Sequence, residues 1–103
     1  MKRMLKFIID GQTIRKDPAC SFDGIHRGTS GYLHAQFSFS REWAGCKKAA
    51  SFYSVGKEYA VPVIGSQCEI PEEALKYQRW EVSVTGMRPG FKITTGKEKV
   101  TQG

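Results

Sequence analysis

The sequence lacks the features that would mark a membrane protein or a familiar enzyme. No apolar run approaches the roughly 20 residues that a membrane-spanning helix needs. The chain has two histidines, and it contains no Gly-x-Ser-x-Gly, no His-Glu-x-x-His and no phosphate-binding glycine loop opening a helix. We therefore expect a non-enzymatic protein that needs no cofactor.

Cysteine is also sparse. The three cysteines, Cys20, Cys46 and Cys68, are an odd number, whereas small secreted domains usually carry an even set that pairs into disulfides. Free thiols, as in a cytoplasmic protein, are the expected state. A zinc site built from these cysteines with His26 and His34 is the alternative, but no pair has the short spacing that structural zinc ligands show.

Length and composition predict one domain. The chain has 103 residues, 40% of them hydrophobic, 12% aromatic and 25% charged, which is enough to bury a single core without disulfides. We predict a single domain over residues 1–95 and a polar, basic C-terminal tail over residues 96–103.

The clearest strand runs from Leu33 to Ser40, where apolar and polar residues alternate without a break. This is the period of a strand with one buried and one solvent-facing side. Trp43 follows as a bulky side chain for the edge of the core. A second alternating run covers Arg79 to Thr85. The predicted core residues are Leu33, Phe37, Phe39, Trp43, Phe52, Trp80, Val82 and Val84.

Turn residues divide the chain into about seven short strands. Asp10-Gly11 indicates a hairpin after the first strand, and Pro62 indicates an edge strand or a bulge. One short helical turn is predicted near residues 71–76, where Pro71 precedes two glutamates. This spacing predicts an all-β fold, an antiparallel immunoglobulin-like β-sandwich, with a small partly open barrel as the alternative.

The net charge of +6 would suit an acidic partner. The basic residues are scattered as singles and pairs, without the interleaved aromatics of a known module that binds nucleic acid. A protein partner is therefore expected, and nucleic acid is an alternative. The candidate contacts are Arg15, Lys16, Arg27, Lys47 and Lys48.

Four short motifs punctuate the chain: a Phe-x-Phe-x-x-Glu-Trp strand end, a Lys-x-x-x-Phe strand, a Cys-x-Ile-Pro turn into a short helix, and a Val-x-Val-x-Gly strand. They lie in segments that cover nearly the whole chain: Ile8 to Ile14, Leu33 to Gly45, Lys47 to Phe52, Cys68 to Leu75, Trp80 to Gly86 and Ile93 to Thr95. Together these segments resemble a domain found in tail and baseplate genes of bacteriophages and prophages of Gram-positive bacteria, whose pattern has the same four motifs.

The resemblance implies an immunoglobulin-like sandwich that acts in virion assembly through protein–protein contacts and carries no catalytic residues. In larger relatives such a domain leads into a fibre, whereas this sequence ends at Gly103. Three functions are therefore considered. The first is a structural or assembly domain of a tail or baseplate, located in the virion. The second is a small phage-encoded inhibitor of a host defence protein, similar to an anti-CRISPR and with zinc as an option. The third is a basic nucleic-acid-binding module.

Overall fold

The computed structural model describes residues 2–103; Met1, where the predicted domain starts, lies outside them. The chain is mostly β, with 55% of residues in strands and 7% in helical turns. The strands are β1 Arg3–Asp10, β2 Thr13–Lys16, β3 Leu33–Phe39, β4 Lys47–Ser54, β5 Lys57–Val63, β6 Gln67–Glu69, β7 Arg79–Arg88, β8 Phe91–Thr94 and β9 Glu98–Thr101. The predicted all-β sandwich is confirmed, with nine strands within residues 2–103 in place of about seven.

The first sheet has the order β2-β1-β3-β6. β1 and β2 form the expected hairpin, but the predicted fully antiparallel pairing is wrong for β1 and β3, which run parallel. A parallel pair needs a long connection to bring the chain back. The return strand β2 and the segment 17–32 together supply it, and this segment forms no strand of its own.

The second sheet has the order β5-β4-β7-β8, and β9 also pairs with β7. β8 lies beside the C-terminal half of β7 and β9 beside its N-terminal half. The prediction of a polar tail over residues 96–103 is therefore wrong. Val100 is fully buried, and the Gln102 side chain donates to the carbonyl oxygens of Leu75 and Tyr77. One apolar residue among charged neighbours was too weak a signal for a strand.

From β3 to β8 the chain passes between the sheets in the order of immunoglobulin strands B, C, C′, E, F and G. β3 and β6 belong to the first sheet, whereas β4, β5, β7 and β8 belong to the second. The parallel β1 and its hairpin partner β2 are the departure from that scheme.

The core lies between the two sheets and contains most of the predicted residues. Leu33, Phe37, Trp43, Phe52, Trp80, Val82 and Val84 are all buried, and each such large apolar side chain contributes about 1.5–3 kcal/mol when fully buried. Phe39 differs from the prediction because it is only half-buried. It lies at the end of β3, where its ring packs against Trp43 and under the Lys48 ammonium group.

Two short 3-10 turns complete the fold. The second, Glu72–Leu75, is the predicted helical turn. The first, Arg41–Trp43, lies in the connection by which the chain crosses from β3 to β4. No helix among the described residues is long and apolar enough to cross a membrane.

Candidate functional site

The five basic residues expected to contact a partner do not share one surface. Arg15 lies on the outside of the first sheet and Arg27 in the 17–32 segment. Lys16 is paired with Glu98 at 3.3 Å. Lys48 donates to the carbonyl oxygen of Cys46. Of the five, Lys47 alone lies exposed on the solvent side of the second sheet.

The five zinc candidates are dispersed as well. Cys20 lies against β1, where its thiol accepts from the Lys6 amide. Cys68 is buried and pairs with Ala35 across β3 and β6. His34 precedes Ala35 in β3, so its side chain lies on the other side of the sheet from Cys68, and it pairs with Glu69. Cys46 contacts the Arg88 guanidinium, and His26 lies in the 17–32 segment. Within residues 2–103 no three such ligands gather around one point.

The Glu-Trp motif at the end of β3 has a structural role. Trp43 Nε1 donates to the carbonyl oxygen of Gly11 at 2.9 Å, and the Gly11 amide donates to the Ser40 hydroxyl at 2.9 Å. Both peptide groups of this turn glycine are therefore held by the β3–β4 connection. Hydrogen bonding from Ser40 also lowers the pKa of Glu42. The motif fastens the first hairpin to the rest of the sandwich.

The most distinctive surface is the outer face of the second sheet, the side that is turned away from the core. Strand register and alternating burial place one side chain in two on this face. Its members are Lys47, Ala49, Ser51 and Tyr53 of β4, Glu58, Ala60 and Pro62 of β5, Arg79, Glu81, Ser83, Thr85 and Met87 of β7, Lys92 and Thr94 of β8, and Lys99 and Thr101 of β9.

The middle of the outer face is made of small side chains. Ala49 lies opposite Pro62 on one side and Thr85 on the other, and Thr85 in turn lies opposite Thr94, with their hydroxyls 3.0 Å apart. Ser51 donates to the Glu58 carboxylate at 2.6 Å. Because no bulky side chain rises from these rows, another backbone can approach the middle of the sheet closely.

A broad depression of about 1040 Å³ occupies one end of the outer face, beside the β4–β5 turn. Tyr53 crosses it: the phenol shares a 2.9 Å hydrogen bond with Ser83, and the Lys97 ammonium lies 4.0 Å from the ring centroid. Three polar atoms of its lining residues are buried without a hydrogen-bond partner in the described part of the chain, namely Ser54 Oγ, Trp80 Nε1 and Gln102 Oε1. These atoms lie beneath the surface, whereas the exposed residues that line the depression include Tyr77, Arg79 and Lys97.

The opposite end of the outer face carries a row of three residues in register across β4, β7 and β8. Met87 lies opposite Lys47 on one side and Lys92 on the other, and its side chain is 55% exposed. A depression of about 610 Å³ opens here beside Pro89. Within residues 2–103, neither lysine makes an ion pair or a side-chain hydrogen bond.

Charge on the outer face is predominantly positive. Lys47, Lys92, Lys99 and Arg79 lie on it and Lys97 lies over it, whereas Glu58 and Glu81 are its acids. One of those acids already accepts the Ser51 hydroxyl. A partner that lies on this face therefore meets a net positive surface.

Sequence reasoning identified Lys47 but missed Met87, Lys92, Arg79 and Lys97. The alternation over residues 79–85 does place Arg79 on the solvent side of its strand. The pairing of β4 with β7, which puts Lys47 beside Met87, has no signal in a single sequence. Comparisons with protein-family models, with curated proteins and with solved structures found no match for this chain.

Proposed function

We propose that this chain is a non-enzymatic structural or assembly domain of a phage or prophage tail or baseplate, and that it acts through protein–protein contacts made by the outer face. The phage assignment comes from the sequence resemblance described above. The contribution of the structure is the face itself, a sheet surface with small side chains in the middle and cations at both ends.

The observation that carries the proposal is the run of small residues at Ala49, Ser51, Ala60, Pro62 and Thr85 across three adjacent strands. Solvent-facing sheet surfaces commonly carry long charged side chains, whose ordering on contact costs conformational entropy. Small side chains lose little freedom when covered. Such a face therefore favours association with another protein surface.

The test is deletion of the gene from the phage or prophage genome that encodes it, followed by complementation. The wild-type gene should restore infectious particles that contain the chain, as read by plaque titre and mass spectrometry of purified virions. Ser51→Arg, in the middle of the outer face, should not. Ser38→Arg makes the same change on the exposed side of β3 in the first sheet and should restore them.

Intact, infectious particles formed without the gene would overturn the proposal. So would equal complementation by the two arginine variants, provided that both fold with the wild-type melting temperature. A monomer that instead forms a stable complex with one host defence protein would support the inhibitor hypothesis.

The positive outer face also favours the third candidate, binding of nucleic acid. Neutralisation of several phosphates would make the affinity fall steeply with salt concentration. Fluorescence anisotropy with a labelled oligonucleotide between 50 and 200 mM salt tests for nucleic-acid binding. A drop in affinity of about a hundredfold or more over this range would identify phosphate contacts.

A further inference from the structure

We infer that the row Lys47–Met87–Lys92 is a docking site for an acidic, extended segment of a partner protein, one that presents an apolar side chain between two carboxylates. This inference rests on the proposed function, because it names the kind of partner that the outer face binds. It concerns one end of that face and makes a prediction that can be tested without knowing the partner.

The geometry of the row sets the spacing of the partner residues. Lys47, Met87 and Lys92 lie directly opposite one another on three neighbouring strands. Neighbouring strands are about 4.8 Å apart, so the backbones of the two lysines are about 10 Å apart with the methionine between them. In an extended segment, alternate residues face the same way at intervals of about 6.7 Å. The two glutamates of a Glu-x-Leu-x-Glu segment are therefore about 13 Å apart. The long, flexible lysine side chains can cover the difference of about 3 Å, so that each lysine meets one carboxylate while the leucine lies over Met87.

The chemistry of the depression supports an apolar anchor. Its lining includes the apolar residues Met87, Pro89 and Ala49. The charged residues that line it are the basic Lys47, Lys48 and Arg88, and no acidic residue is among them. Methionine adapts its shape to irregular apolar partners because its side chain is unbranched and polarizable. A leucine or valine seated here would cover a methionine that is otherwise 55% exposed to water.

The two lysines are free to pair, unlike their basic neighbours. Arg88 lies 3.8 Å from the Phe91 ring centroid and donates to the carbonyl oxygens of Glu42 and Ala44. Lys48 lies over Phe39. Glu42 shares an adjoining depression with Lys92 but makes no ion pair with it within 4 Å. The charge available at the row is therefore that of Lys47 and Lys92.

A protein segment is favoured over single-stranded nucleic acid because the aromatic rings near the row are not free to stack on bases. Binding of single strands relies on aromatic faces that stack on bases. The two rings at this end, Phe39 and Phe91, are covered by Lys48 and Arg88. The exposed group between the lysines is aliphatic, and this suits a side chain such as leucine.

Methyl NMR of the full chain tests the inference, with a synthetic peptide, acetyl-Thr-Glu-Thr-Leu-Thr-Glu-Thr-amide, as the probe. The Met87 methyl signal should shift saturably on titration. Met4, in β1 of the first sheet and half-buried, should not shift and is the internal control. A peptide with serine in place of leucine should bind at least about threefold more weakly, and raising the salt concentration should weaken both.

Charge reversal at the two lysines is the second test of the inference. Lys47→Glu and Lys92→Glu should each reduce the affinity by about fivefold or more, since an exposed ion pair contributes up to about fivefold and reversal adds repulsion. Lys57→Glu and Lys76→Glu, at exposed lysines elsewhere, should change it by less than twofold. Melting temperatures of all four variants establish that they fold.

Three results would overturn the inference: no Met87 shift at millimolar peptide, equal binding of the leucine and serine peptides, or tighter binding of a dodecathymidylate that is insensitive to Met87→Ser. Absence of the wild-type chain from the purified virions of the complementation assay, with peptide binding intact, would overturn the proposed function and leave this site standing as a binding site for acidic segments.

Discussion

The six-membered ring of Trp43 lies directly against the Cα of Gly86. A Cβ built on Gly86 would come 2.8 Å from Cε3 and Cζ3 of the indole and 3.1 Å from the Cβ of Cys46. The contact joins the β3–β4 connection to the middle of the second sheet. The same indole donates to the carbonyl oxygen of Gly11, so one tryptophan ties the first hairpin to β7.

Gly86→Ala should therefore destabilise the protein, because neither the indole nor the β7 backbone has room to move away. We expect a loss of about 1–3 kcal/mol in the free energy of unfolding, the usual cost of overpacking a core. Urea denaturation followed by tryptophan fluorescence measures it. Gly96→Ala is the matched control, since Gly96 has open space around it and an ordinary φ; an equal loss there would contradict the steric explanation.

Val55→Asn should stabilise the protein. Val55 and Gly56 form the two-residue turn between β4 and β5, and Val55 has a φ of +46°. A β-branched residue is strained in this left-handed conformation, whereas asparagine tolerates it and favours this type of turn. We expect a gain of about 1 kcal/mol, from the penalty of about 1–2 kcal/mol that the left-handed region imposes.

Thermal unfolding of Val55→Asn measures that gain. Ser66→Asn serves as the comparison, because Ser66 has a φ of +63° in a similar turn but lacks the branched Cβ. A gain at Ser66 as large as that at Val55 would show that the β-branch is not the source of the strain.

Val100→Ala should be clearly destabilising although residue 100 lies close to the C-terminus. Val100 is fully buried and lies opposite Trp80, and loss of two buried methyl groups removes about 1.5–3 kcal/mol. Lys99→Ala, one position away and exposed, should stay within about 0.5 kcal/mol of wild type. Equal, negligible effects at both positions would indicate that β9 does not contribute to the fold in solution.

The stability of the protein should fall in alkali because of Cys68. Burial raises the pKa of this thiol to about 12, whereas in the unfolded chain it ionises near its ordinary value of about 8.5. Between these values the unfolded state binds fewer protons than the folded state. The free energy of unfolding therefore decreases as the pH rises through this window, and the thiol contributes no pH dependence below it.

Urea denaturation between pH 8 and 10.5 measures that decrease, to which one thiol contributes at most about 1.4 kcal/mol per pH unit. The slope should be smaller in Cys68→Ala and unchanged in Cys20→Ala, which alters a half-exposed thiol. Identical slopes in wild type and both variants would contradict the assignment to Cys68.

The row Lys47–Met87–Lys92 could not be predicted from the sequence. Lys47 was identified by its charge alone, together with Arg15, Lys16, Arg27 and Lys48. Its significance depends on Met87 and Lys92, which lie 40 and 45 positions further along the chain. Only strand pairing brings these three into one row, and pairing partners leave no trace in the periodicity of a single strand.

The sequence by itself determined the fold class, the core strands and the helical turn, because alternation with period two and turn residues act locally. It also placed Trp43 at the edge of the core. Tertiary structure decided the parallel pairing of β1 with β3, the incorporation of residues 98–101 as β9, and the row of residues around Met87. Each of these depends on which strands become neighbours, and that choice is made by the packing of the whole core.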